Sequence, residues 1–413
     1  MNKNSKNKLV PKLRFPEFAS ENWNRKTIDE TCEILNNLRK PLTSNLREKG
    51  EYPYYGASGI IDYVKEYIFN ERLLLIGEDG AKWVAYEKTA FIAEGKYWVN
   101  NHAHVLKPIG VVDVFLENYL VKLDISPFIT GAAPPKLTLR KLKSIPVPIP
   151  ENRNEQQKIA SCLSSLDEVI TAESEKLEAL KEHKKGLLQN LFPQEGETVP
   201  KVRFKEFMDS GMWVEKIVEN YFDVGSSKRV LQQDWTNQGV PFYRTRELVS
   251  LSKNEPFGSE VYISEELYSE LKKTYGVPNE GDFLVSGVGT LGICYQVKNN
   301  NKFYFKDGNV LWFKLLGELN STYFKYCFQS DHIQNQIIGQ TSKSTVGTYT
   351  IQNAKKTKLW YPPRINEQEK IAEILSSIDD LIIAQNQKVE TLKLHKKGLL
   401  QGLFPEINIF TNE

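Results

Sequence analysis

Two stretches of this chain carry apolar residues at alternating steps of four and three. The first runs through Ile159, Leu163, Leu166, Ile170, Glu173, Leu177, Leu180, Lys184, Leu187 and Leu191. The second runs through Ile371, Leu375, Ile378, Ile382, Gln385, Val389, Leu392, Lys396, Leu399 and Leu403. This spacing is the a/d stripe of a coiled coil and predicts two long helices, each needing a partner for its seam. The two stretches are copies. Asn154–Pro193 and Asn366–Pro405 align without a gap at an offset of 212, with about two thirds of their positions identical. Asn154 and Asn366 stand where an N-cap is expected, with Gln157 and Glu369 at capping-box spacing, and Pro193 and Pro405 mark the stops.

Both stripes are broken at the same two places, by Glu173 and Lys184 in one and by Gln385 and Lys396 in the other. A polar residue in an apolar seam is either a solvent-facing edge or a key that sets register. If the helices pack antiparallel, one alignment matches every break. It sets Glu173 against Lys396 and Lys184 against Gln385, with Ile170 against Leu399 and Leu187 against Ile382.

The rest of the chain divides around these helices. Val10–Phe18 reads VPKLRFPEF and Val199–Phe207 reads VPKVRFKEF, each followed by a tryptophan, Trp23 or Trp213. The expected layout is a basic disordered tail (1–9), a first domain (10–151), a helix (152–193), a short linker (194–198), a second domain (199–363), a second helix (364–405) and a tail (406–413). Within the domains, short alternating runs end in Gly and Asn turns, as in LLLIGEDGA and FLVSGVGTLG, which predicts strands and hairpins. Helices are expected near Asp113–Leu123 and Ser321–Gln336. The fold class is α+β: one scaffold used twice, in a pseudo-two-fold arrangement separated by two antiparallel coiled-coil helices.

Composition narrows the chemistry. A net charge of +2 over 413 residues does not by itself identify a nucleic-acid binder. The four cysteines, Cys32, Cys162, Cys294 and Cys327, have no CxxC spacing, which argues for reduced thiols in a cytoplasm. No apolar run reaches the ~18 residues of a membrane span. His102 and His104 form an HxH pair that a strand would project to one face, yet no further ligands lie nearby. Gly77–Gly80 (GEDG) reads as a turn. Gly339–Thr345 echoes a phosphate loop but lacks its glycines. No catalytic centre and no cofactor site is expected in this chain.

Nucleic-acid contact is the better-supported chemistry, because basic and amide side chains sit beside aromatics at expected turns. In the first domain these are Arg39, Lys40, Lys82, Asn100, Asn101, His102 and Lys136. In the second they are Ser227, Lys228, Arg229, Arg244, Arg246, Lys306, Asn309, Lys343 and Ser344.

Two unlike domains alternating with helices that open (N)EQxKIAxxLSS and close HKKGLLQxLFP resemble the specificity subunit of type I restriction–modification systems. YPYYGASGIIDYV, WVNNHAHVL, PFYRTREL and FYFKDGNVLWF are similar to that family's recognition phrases. The resemblance covers essentially the whole chain. It implies a non-catalytic, cytoplasmic subunit whose two target-recognition domains each read half of a bipartite, asymmetric site in double-stranded DNA. It also implies two modification subunits that bind S-adenosylmethionine and methylate adenine N6. Two translocase–nuclease subunits using ATP and Mg2+ can join them. In the register above the helices overlap by about 39 Å, which would space the half-sites by about 11 base pairs. A stand-alone DNA-binding protein and a self-contained restriction–methylation enzyme are the rival readings; the missing cofactor motifs argue against the latter.

Overall fold

A computed structural model describes residues 9–407 apart from 254, 256, 259–260, 307, 318 and 342–346. Lys343, Ser344 and most of both expected tails lie outside the described residues. The chain forms two compact units, Met1–Lys176 with Gln385–Glu413, and Leu177–Ala384.

The first unit is built on an antiparallel sheet ordered Cys32–Ile34, Ala103–Pro108, Leu73–Gly77, Ala90–Ala93. Leu73–Gly77 is buried along its whole length, which is why it reads as continuous apolar sequence rather than alternation. A second sheet is ordered Gly59–Val64, Lys49–Gly56, Lys96–Val99, Phe69–Asn70, and its central pair is parallel. Trp23–Thr27 and Pro146–Pro150 form a separate ladder, and the helix Asp113–Lys122 contributes Phe115, Leu116 and Tyr119 to the main core.

The second unit repeats this plan with little shared sequence. Its antiparallel sheet is ordered Phe222–Gly225, Val310–Leu315, Phe283–Ser286, Cys294–Gln296. Its other sheet is ordered Trp235–Thr236, Tyr262–Ile263, Val240–Tyr243, Tyr304–Phe305, with the last two strands parallel. Val214–Ile217 pairs with Lys358–Tyr361 as the separate ladder. The helix expected at Ser321–Gln336 is two helices, Ser321–Gln329 and Asp331–Thr341.

The repeated short motifs converge on the first turn of each long helix. In the first unit Arg14 donates from Nε and Nη2 to both oxygens of Glu155, each at 2.8 Å, and Trp23 Nε1 donates to Glu155 at 3.2 Å. In the second, Arg203 donates to Glu367 at 2.7 and 2.8 Å and Trp213 Nε1 at 3.3 Å. Both carboxylates are fully buried, and each is matched there by a bidentate guanidinium. The next residue, Gln156 or Gln368, is also buried and bonds backbone on either side. At the other end of each helix, the phenylalanine of LFP enters a core. Phe404 packs on Phe115 and Tyr119, and Phe192 on Trp213 and Tyr323.

The long helices span Arg153–Leu191 and Ile365–Leu403. The capping expectation needs correction. Asn154 and Asn366 lie inside the first turns, and Asn152 Oδ1 accepts the Asn154 N–H at 3.0 Å. Every position of both a/d stripes is buried or half-buried, Glu173, Lys184, Gln385 and Lys396 included.

The expected pairing of those four residues is also corrected. Within the first unit Glu173 faces Gln385, whose Nε2 donates to the carboxylate at 2.6 Å and to the Glu173 carbonyl at 2.9 Å. Lys388 reaches the same carboxylate at 2.5 Å, while Lys396 pairs with Asp167 at 2.6 Å. Within the second unit Lys184 pairs with Asp379 at 2.8 Å. The antiparallel pairing is centred on Glu173 and its own counterpart, Gln385. The lysines then find carboxylates beside the stripe, Asp167 and Asp379, rather than polar residues in it. The overlap and half-site spacing worked from the other register fall with it.

Candidate nucleic-acid interface

In the first unit, loops from both sheets are tied together at one edge by backbone bonds. Glu78 N–H donates to His102 O at 2.8 Å, Leu137 N–H to Glu78 O at 2.8 Å, Asn100 N–H to Tyr55 O at 3.1 Å, and Lys40 N–H to Val99 O at 3.3 Å. Arg39 is the clamp of this cluster. Its Nη1 donates to Glu78 Oε2 at 2.7 Å and to the carbonyl of Ala103 at 2.7 Å, and its Nε donates to Asn36 O at 3.1 Å. Asp79 bonds His102 Nδ1 through one oxygen and Lys136 Nζ at 2.9 Å through the other. Burial alone would raise the Asp79 pKa, but the bonds from Lys136 and His102 outweigh it and hold the carboxyl below its usual value.

The histidine pair therefore separates. His104 is buried, donating from Nε2 to Leu137 O at 2.6 Å and bonding Asn36 Nδ2 through Nδ1 at 2.8 Å. Burial lowers its pKa, as expected of a neutral imidazole held in a core. His102 lies in the turn before the strand and faces Asp79 at the surface, so the two rings do not share a face. Among the described residues no cluster suited to a metal ion is present.

The cluster thus brings together Arg39, Asn100, Asn101, His102 and Lys136 of the expected residues. Asn100 is buried, and its side-chain oxygen accepts the His102 N–H at 2.8 Å. Asn101 offers its carbonyl to Arg39 at 3.3 Å. Lys40 has an exposed side chain, and Lys82 pairs with Glu87 at 3.5 Å outside the network. Glu78 and Asp79, expected only as turn residues, organise the basic side chains. Their partners, Arg39, His102 and Lys136, are 23 to 57 residues away, so nothing local in the sequence marked them.

The second unit uses the same backbone ties with different side chains. Gly287 N–H donates to Asn309 O at 2.8 Å, Tyr349 N–H to Gly287 O at 2.9 Å, and Lys306 N–H to Tyr243 O at 2.8 Å. Gly287 thus occupies the place of Glu78, Asn309 that of His102 and Lys306 that of Asn100. A Cβ on Gly287 would lie 2.8 Å from the Tyr349 carbonyl, so the backbone itself excludes the carboxylate found in the first unit. Ser227 Oγ donates to Phe305 O at 2.7 Å, and Lys228 N–H donates to the Tyr304 hydroxyl at 3.0 Å. Arg229 is exposed in the same segment. Arg244 and Arg246 both bond Glu247, at 2.6 and 3.1 Å at closest.

Comparison with known proteins agrees with this duplicated plan. The family model for the type I restriction modification DNA specificity domain matches residues 20–182 and again 212–394. A Haemophilus influenzae protein named as a type I restriction enzyme specificity subunit is 32% identical over 370 residues, covering 88% of this chain and 89% of its own. The type I restriction enzyme MjaVIII specificity subunit of Methanocaldococcus jannaschii is 22% identical over 421 residues, covering 95% and 93%. Among solved structures, the type I restriction–modification S subunit from M. genitalium superposes with a TM-score of 0.63 at 16% identity, covering 97% of this chain and all of that one. A chain from a structure of type I R-M complex assembly gives 0.54 at 15% identity, over 93% and 97%. With two copies of the family's domain and a relative matched over most of its length, this chain belongs to the specificity subunits of type I restriction–modification systems, the non-catalytic DNA-recognition components of those enzymes.

Proposed function

We propose that each unit reads one half of a bipartite, asymmetric DNA site through its loop cluster. One observation carries this reading: two units share the strand order of their main antiparallel sheet and a set of backbone ties, yet present unlike side chains at equivalent places. Glu78, His102 and Asn100 in one unit correspond to Gly287, Asn309 and Lys306 in the other. A duplicated frame with two different surfaces is what two different half-sites require. The recognition domains on this reading are residues 10–151 and 199–363.

The long helices set the distance between the half-sites and dock two modification subunits. S-adenosylmethionine belongs to those partners, and ATP and Mg2+ to translocase–nuclease subunits where they join. Base flipping and methyl transfer would take place in the partners, not in this chain. The reading places the protein with host DNA in the cytoplasm.

Two measurements test the proposal. Mapping N6-methyladenine in the host genome should return one motif with two specific parts and a fixed gap, lost on deletion of this gene. Purification through a tag on this chain should recover modification subunits at 2:1. A continuous methylated motif, or a monomer that binds its site without partners, would overturn it and favour a stand-alone DNA-binding protein.

A further inference from the structure

The backbone tie between the loops sets one side chain at the same place in both units. In the first unit it is His102, whose carbonyl accepts the Glu78 N–H at 2.8 Å. In the second it is Asn309, whose carbonyl accepts the Gly287 N–H at 2.8 Å. His102 is pinned twice more. Its own N–H donates to the side-chain oxygen of the buried Asn100 at 2.8 Å, and its Nδ1 bonds Asp79 Oδ1. The His102 side chain is nonetheless 51% exposed, and among the described residues Nε2 has no hydrogen-bond partner.

Asp79 decides what Nε2 can do. Burial opposes the charge on Asp79, but Lys136 and His102 outweigh it and keep the carboxyl ionised. An ionised carboxylate only accepts, so the ring hydrogen sits on Nδ1. Nε2 then carries the lone pair, on the side of the ring away from Asp79. Arg39 already pairs with Glu78 at 2.7 Å and Lys136 with Asp79 at 2.9 Å, so neither carboxylate of the cluster depends on a second hydrogen on the imidazole for its counter-charge. The second unit lacks this device. Val288 follows Gly287 where Asp79 follows Glu78, and Thr348 precedes Tyr349 where Lys136 precedes Leu137.

We propose that His102, oriented by Asp79, reads the exocyclic amino group of an adenine or a cytosine in the half-site bound by the first unit. This rests on the recognition reading above. A lone pair needs a donor, and in the major groove only adenine N6 and cytosine N4 offer one. Guanine presents two acceptors there, and thymine an acceptor beside a methyl group. Asn309, at the equivalent place, carries both a donor and an acceptor, so the two units differ in what they can read at one shared position. Asp79 is a positioning residue, and Lys136 makes its role testable. In Asp79→Asn, Lys136, which only donates, keeps the amide oxygen, and the amide NH2 is left facing His102 Nδ1. The ring hydrogen then moves to Nε2, which can no longer accept.

The test uses this chain in complex with its modification subunits, on duplexes carrying the genome-mapped site. Each adenine other than the methylated ones is replaced in turn by purine, and each cytosine by 2-pyrimidinone, which lack the exocyclic amino group. The wild-type complex and His102→Phe are compared at every position, so that weaker base pairing, common to both, cancels. At one position in one half-site His102→Phe should abolish about 3- to 10-fold of the discrimination shown by the wild type, the value of one hydrogen bond. Whether that position holds adenine or cytosine names the base. Asp79→Asn should lose the same discrimination with His102 in place, which a merely structural role would not single out. Discrimination in the other half-site should persist in both variants, which shows that they are folded. Three results would overturn the inference: His102→Phe with unchanged discrimination at every amino group, a His102-dependent response to 7-deazaguanine (Nε2 donating to a guanine), or a uniform loss across all sequences with a shallower salt dependence (a phosphate contact). If the wild-type complex methylates no bipartite site at all, it is the recognition reading that fails instead.

Discussion

Replacing Glu155 by glutamine keeps the size of the side chain and removes its charge. Arg14, whose side chain is 9% exposed, would then lose the carboxylate that accepts both of its bonds. Losing one partner of a buried ion pair costs about 3–5 kcal/mol, because the remaining charge is left uncompensated. Arg14 also donates to the Glu21 carbonyl at 2.7 Å, which softens the loss, so the low end, about 3 kcal/mol, is expected. That corresponds to local opening roughly 100-fold more frequent. The double variant Arg14→Met/Glu155→Leu removes both charges. It leaves Trp23 Nε1 without its acceptor and takes the Arg14 donor from the part-buried Glu21 carbonyl, together a penalty of about 2 kcal/mol, so it should be the more stable of the two. A chain of two units need not unfold in one step, so the readout is local: hydrogen exchange in peptides spanning 146–163, across increasing urea. A single variant that speeds exchange less than about 5-fold, or a double variant no better than the single, would refute a charge-compensation role for the pair.

The remaining expectations can be checked with the same preparations. Glu367→Gln should reproduce the effect in the second unit, measured in peptides spanning 358–375, because Arg203 and Trp213 grip Glu367 in the same way. Asp379→Asn should cost about 1.5–3 kcal/mol in urea midpoints, since it strands both Lys184 and the half-buried Lys325. Asp167→Asn should cost under about 1 kcal/mol, since Asp167 is 47% exposed and holds one lysine. Asp379 and Glu117 should also answer pH oppositely. Burial would raise the Asp379 pKa, but Lys325 and Lys184 outweigh it and lower it, so its contribution is present above the ordinary carboxylate value and fades as pH falls through the folded value. Burial raises the Glu117 pKa, so the stability linked to its proton is complete below the ordinary value and lost as pH rises through the folded one. Glu117→Gln should therefore raise the first unit's urea midpoint at pH 8 and leave it little changed at pH 4. Inserting four residues, about 6 Å of helix, into one long helix should lengthen the methylated gap by one or two base pairs; an unchanged gap would end the spacer proposal.

The helices, the repeat and the α+β class were legible in the sequence because periodicity and duplication are local signals. The cross-helix partners were not. Matching every polar break made Glu173 and Lys396 an attractive pair, but the antiparallel pairing is centred on Glu173 and its own counterpart, Gln385, so the lysine breaks meet other positions. The carboxylates that serve the lysines, Asp167 and Asp379, lie beside the stripe, where a/d counting does not look. The helix caps were misplaced for a related reason. Asn154 stood at capping-box spacing from Gln157, but the helix begins at Arg153, and Glu155 and Gln156 in its first turn are buried anchors. Arg14 and Arg203 recur with Glu155 and Glu367, so the repeat did carry that signal. The pairing spans 141 residues in one case and 164 in the other, and only the fold shows who meets whom. At the loop cluster of the first unit, Arg39, the trio Asn100, Asn101 and His102, and Lys136 come together although these places lie far apart in sequence. Sequence could not show that Arg39 is a clamp, because that depends on its meeting Glu78 and the Ala103 carbonyl in the fold.

The division of the chain has a consequence for the order of folding. Leu177–Ala384 is one continuous segment, whereas the other unit needs residues from both sides of it. Its core includes Trp23, Phe115 and Tyr119, but also Leu400, Leu403 and Phe404. As the chain leaves the ribosome at ~5–20 residues per second, the N-terminal unit must wait on the order of tens of seconds for its last core residues. The unit synthesised second can therefore be completed first. During that interval Phe115 and Tyr119 lack the ring that covers them, and the nascent N-terminal unit is the part most in need of a chaperone.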